Sequence, residues 1–90
     1  MTEKEIITAV KEICMKYKVG SLILFGSRAK GVAVQKSDFD FAVSGAEDFY
    51  EMQDEIDEIP TLKKIDLVNM DTCHNQLLLE DIEQYGCKIL

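Results

Sequence analysis

Apolar residues at Ile6, Ile7, Val10, Ile13, Cys14 and Tyr17 recur with the spacing of one helical face. Thr2 and Glu5 have the spacing of a capping box, so the pattern predicts a helix over residues 3–17. Gly20 closes that region. The run from Ser21 to Phe25 is short, apolar and of strand length, and reads as a buried first strand. Gly26 and Ser27 break it. A short helix is expected over 27–32, because a glycine turn after a buried strand commonly leads into a helix whose first amides are unpaired and can bind phosphate. A loop over 32–36 follows.

A second strand is expected over 38–43, with Asp38, Asp40 and Ala42 on one face and Phe39, Phe41 and Val43 on the other. The aromatic face should enter the core. After a turn at Ser44 and Gly45, Phe49, Met52, Ile56 and Ile59 mark a helix that ends before Pro60. Its outer face is acidic, with Glu47, Asp48, Glu51, Asp54, Glu55, Asp57 and Glu58. Residues 64–69 read as a third strand, and Leu77, Leu78, Ile82 and Tyr85 as a last short helix before Gly86. Residues 87–90 form either a terminal strand or an ordered tail. The order of elements is that of an α+β domain with an α/β-like succession, a sheet with helices packed on it. No linker divides it, so residues 1–90 are expected to form a single domain.

Two aspartates at alternate positions of a strand point the same way, and their carboxylates repel unless hydrogen bonds, protonation or cations compensate. A divalent cation is the simplest compensation. Hard oxygen ligands suit magnesium, which often takes one or two protein carboxylates and fills its other positions with water and substrate phosphates. Asp66 lies between Ile65 and Leu67, where a carboxylate is costly to bury unless its face opens onto a site. If the second and third strands are neighbours, Asp66 joins Asp38 and Asp40. Three carboxylates beside a glycine-serine phosphate turn are the parts that two-metal phosphoryl or nucleotidyl transfer requires. The turn matches neither the P-loop nor the dinucleotide fingerprint.

Composition narrows the partners. Ninety residues are enough for one two-layer core, and a net charge of -7 repels a phosphodiester backbone, so no direct nucleic-acid partner is expected. Three cysteines, Cys14, Cys73 and Cys87, form no CxxC pair and no even set, which points to reduced thiols and a cytoplasmic location. The first residues lack the apolar core of a signal peptide, and no apolar run approaches membrane-spanning length. Neither secretion nor a membrane is expected.

Gly-Ser-Arg-Ala-Lys-Gly at 26–31, then five residues, then Ser-Asp-Phe-Asp at 37–40, and later Ile-Asp-Leu-Val at 65–68, closely resemble the minimal nucleotidyltransferases of the DNA polymerase beta-like superfamily, including the antitoxin subunits of HEPN-MNT pairs. The resemblance covers nearly the whole chain. It implies a small mixed β-sheet with helices packed on it, Gly26 and Ser27 holding a nucleoside triphosphate, and Asp38, Asp40 and Asp66 as catalytic residues and ligands of two magnesium ions. Arg28 is a further candidate for phosphate binding; Lys30 and Ser37 have no assigned role. His74, the only histidine, reads as a capping or surface residue.

By resemblance, the expected activity is transfer of a nucleoside monophosphate, AMP from ATP, to a hydroxyl of a partner HEPN toxin, a tyrosine being the acceptor. Two alternatives stay open. The chain could neutralise a toxin by contact alone, or it could serve a small-molecule acceptor. A homo-oligomer is also left open.

Overall fold

The computed structural model describes residues 2–26 and 38–90. Its elements are helix α1 (Glu3–Lys16), strands β1 (Ser21–Phe25) and β2 (Phe39–Ser44), helix α2 (Phe49–Asp57), strand β3 (Ile65–Asn69), helix α3 (Gln76–Tyr85) and strand β4 (Cys87–Lys88). The four strands form one sheet in the order β3-β2-β1-β4. β1 is antiparallel to both β2 and β4, while β2 and β3 run parallel, so the sheet is mixed as expected. The expected short helix over 27–32 and the loop over 32–36 lie outside the described residues.

α1 starts where its capping box places it. The Thr2 hydroxyl accepts from the Glu5 amide at 3.2 Å and the Glu5 carboxylate accepts from the Thr2 amide at 3.0 Å. The helix stops one residue short of the expected end, with Tyr17 as its C-cap. α2 is capped by Asp48, whose carboxylate accepts from the Glu51 amide at 3.1 Å. It ends at Asp57, yet Ile59 beyond it still packs into the core. Asn75 caps α3 and Gly86 ends it.

The alternation along β2 divides the sheet into two faces. Phe39, Phe41 and Val43 are fully buried with Ile6, Val10 and Cys14 of α1 and Met52 and Ile56 of α2, which is the main core. Each large side chain buried there contributes roughly 1.5–3 kcal/mol. On the opposite face, α3 lays Ile82 over Phe25 and Ala42, with Ile23, Val68, Met70 and Leu78 packed around them. α3 covers less than its apolar pattern suggested. Leu77 and Tyr85 stay exposed, while Ile82 alone of the helix is fully turned onto the sheet.

Within the acidic outer face of α2, Lys16 Nζ sits 2.7 Å from Glu55 Oε1 and draws that carboxylate toward α1. Residues 87–90, left open between strand and tail, add β4 to the sheet edge, and the Ile89 amide donates to Leu22 O at 2.8 Å.

Candidate active site

The strand register sets one row of residues across the sheet. Phe25 of β1 faces Asp40 of β2, and Asp40 faces Asp66 of β3. Because paired residues on adjacent strands share a face, the two carboxylates lie side by side on the face that α3 covers elsewhere. α3 covers the row formed by Ile23, Ala42 and Val68, one step along the strands, together with Phe25, and leaves Asp40 and Asp66 half-exposed. Asp38, immediately ahead of β2, is exposed at the same end of the sheet.

Burial raises the pKa of Asp40 above its usual 3.8; the negative charges of Asp66 and Asp38 push it further, and Lys64 pulls it back in part. Lys64 Nζ stands 3.5 Å from Asp66 Oδ1, with both side chains substantially exposed, so this ion pair contributes little to stability. Its effect is local. Among the described residues, it sets one cation against a group of negative charges.

Gly26 adjoins the same carboxylate. Its backbone has φ +77°, and a Cβ built there would stand 2.5 Å from Asp40 Oδ2. Only glycine combines that conformation with that approach. The turn and the acidic strand, which the sequence sets apart by a dozen positions, therefore meet at one point.

The structure thus brings together Gly26, Asp40 and Asp66, with Asp38 near enough to act on Asp40 by charge. Among the described residues, no group of three or more histidine, cysteine, aspartate or glutamate side chains is gathered closely enough to hold a metal ion. Carboxylates at this spacing repel one another. Their kind still fits a hard divalent cation, since Asp40 carries an electrostatic penalty that positive charge would relieve. Ser27 and Arg28 of the expected phosphate turn, and Lys30 and Ser37, lie outside the described residues. His74 is exposed next to the Asn75 cap. The three cysteines are free, Cys14 among them fully buried.

Two contributors escaped the sequence reading. Phe25 forms the wall beside Asp40, and Lys64 supplies the countercharge. Lys64 is two residues from Asp66, so strand alternation alone could have placed both on one face.

A row of acidic strand residues with a glycine turn pressed against one of them, on a mixed sheet backed by helices, is an arrangement suited to phosphoryl or nucleotidyl transfer. The family described as "Polymerase beta, Nucleotidyltransferase" matches residues 8–90, and the chain belongs to it. Among its relatives is MJ1379 of Methanocaldococcus jannaschii, provisionally named a protein adenylyltransferase. It is 36% identical over 89 residues, spanning 90% of this chain and 88% of the relative. MJ0128 of the same organism, with the same provisional name, is 33% identical over 87 residues, again spanning 90% and 88%.

Solved structures with the same fold include a toxin-antitoxin crystal structure with AMP-PNP. It matches with a TM-score of 0.73 and 22% identity, over 93% of this chain and 72% of that one. A mutant MntA-HpeT toxin-antitoxin structure matches with a TM-score of 0.66 and 25% identity, over 100% of this chain and 72% of that one.

Proposed function

We propose that the chain is a magnesium-dependent protein adenylyltransferase that acts as an antitoxin, moving AMP from ATP to a hydroxyl of its partner toxin. A tyrosine of a HEPN-type toxin is the acceptor that the family resemblance implies. The observation that carries this reading is the side-by-side placement of Asp40 and Asp66, with the Gly26 turn against Asp40. The names of the M. jannaschii relatives support adenylyl transfer to protein, and the toxin-antitoxin structures support the kind of partner. Among the described residues, no helix is long and apolar enough to cross a membrane.

In this reading Asp38, Asp40 and Asp66 hold magnesium, and the turn at Gly26 and Ser27 binds the triphosphate through backbone amides, with Arg28 as a further phosphate ligand. Bound there, the cation would offset the charge of the carboxylates and of the triphosphate and polarise the reacting phosphate. The acceptor oxygen forms a bond to the α-phosphorus as the bond from that phosphorus to the bridging oxygen breaks. Pyrophosphate leaves with the electron pair, and the hydroxyl proton passes to the Asp66 carboxylate on its way to solvent. Asp66 suits that role because its side chain is 42% exposed and lies on the edge strand.

One feature favours a second reading. Asp48, Glu51, Asp54, Asp57 and Glu58 are exposed on and around α2, a surface that could bind a basic toxin by contact alone. Replacing Asp38→Asn together with Asp40→Asn separates the two, because it leaves that surface intact. In cells carrying the partner toxin, the catalytic reading expects neutralisation to be lost while the two proteins still co-purify. Full neutralisation by the double variant would establish occlusion instead.

A further inference from the structure

Resting on the adenylyl-transfer reading above, we propose that the acceptor segment of the partner protein docks as an added strand along the outer edge of β3, which sets its hydroxyl residue beside Asp66. β3 ends the sheet, with β2 on one side and, among the described residues, no strand on the other. The Phe39 amide donates to Lys64 O at 2.9 Å, and the Met70 amide donates to Val43 O at 2.8 Å. That phase of a parallel ladder turns the backbone groups of Asp66 and Val68 toward β2 and those of Ile65 and Leu67 outward. Among the described residues nothing pairs with those outward N–H and C=O groups.

An open edge accepts strands in general, so the selection must come from its two sides. On one side a groove of about 480 Å³ follows the edge, its apolar lining coming chiefly from Ile65 and Leu67 of β3 and its polar lining from Asp57, Thr61 and Lys63, and it reaches along the edge to Asp66. On the other side is the face that carries Asp66 and, one strand inward, Asp40. The edge is thus continuous with the carboxylate row. A strand laid on β3 alternates its side chains between these two faces at a spacing of about 4.8 Å from β3. A residue level with Ile65 or Leu67 enters the groove, and its neighbour stands level with Asp66 on the reacting face.

The occupant this geometry selects is an extended protein segment with a hydroxyl residue between two apolar ones. Backbone pairing holds the segment, the groove fixes its register, and the register presents the hydroxyl. A compact small-molecule acceptor would use none of these three features.

The test uses synthetic peptides of about seven residues, the length of an ordinary strand, each with a single tyrosine. One carries valine on both sides of the tyrosine and one carries aspartate. A further set is the valine peptide with one backbone amide N-methylated at a time. Each is incubated with the protein, ATP and magnesium, and AMP addition is read by mass. The valine peptide should be labelled about tenfold faster than the aspartate peptide, the scale of a small number of hydrogen bonds and one filled groove. Methylation should abolish labelling at every second amide and be tolerated at those between. Labelling indifferent to the flanking residues or to the methylated position would overturn edge docking. So would no labelling of any peptide by a protein that ATP and magnesium together stabilise against heat. If ATP and magnesium fail to stabilise the protein, the adenylyl-transfer reading itself falls.

Discussion

Burial, then the negative charges of Asp66 and Asp38, raise the pKa of Asp40 above 3.8, so the folded chain holds that proton more tightly than the unfolded one. Ionising Asp40 therefore costs stability. The penalty is absent below the unfolded value of 3.8, grows as pH rises toward the raised folded value, and is fully present above it. Asp40→Asn removes the charge and should raise the melting temperature at neutral pH by about 2–4 °C, a gain that disappears in acid below the carboxylate range. Magnesium should stabilise the wild type and have less effect on the variant. Thermal melts at several pH values, with and without magnesium, read both effects. A variant less stable than the wild type at neutral pH would show that the Asp40 carboxylate is structural.

At the scale of elements, β2 matters most, because its alternation serves two purposes at once. Phe39 and Phe41 point into the core, with ring centroids 6.2 Å apart in a stacked arrangement, while Asp40 between them points to the site. Phe41→Ala should cost roughly 3–5 kcal/mol in urea denaturation, a large share of the stability of a small domain. Leu77→Ala, at a position that is 79% exposed, should change stability by about 0.5 kcal/mol or less.

The same contrast shows what was legible in the sequence. Alternation along 38–43 gave the two faces of β2, and the capping box gave the start of α1, because both are local patterns set by backbone period. Leu77 and Tyr85 matched a helical face equally well, yet their exposure depends on how α3 is turned on the sheet. Site chemistry divides the same way. The type and spacing of Asp38, Asp40 and Asp66 were visible, but the approach of Gly26 to Asp40 and the pairing of Asp40 with Asp66 depend on strand order. Strand order is a long-range property, and no local period encodes it.

At the scale of the whole molecule, the sheet separates stability from chemistry. α1 and α2 close one face into the main core, while the other is divided between α3 and the row of carboxylates. A site can then carry unrelieved negative charge without that charge entering the core. The net charge of -7 across the chain adds to this, since it disfavours nucleic acid as a partner. Among the described residues no strand lies beyond β3, beside Asp66, so an acceptor docked there as proposed need not compete with the nucleotide for one surface.

The central claim is that this carboxylate row transfers AMP to a partner protein. Incubating the purified chain with its partner toxin, magnesium and ATP labelled at the α-phosphate tests it most directly, with ATP labelled at the γ-phosphate in parallel. Adenylyl transfer puts α-label and no γ-label into the partner, and the variant carrying Asp38→Asn and Asp40→Asn should transfer neither. A partner that binds the chain yet takes up no α-label, or takes up the γ-label instead, would contradict it.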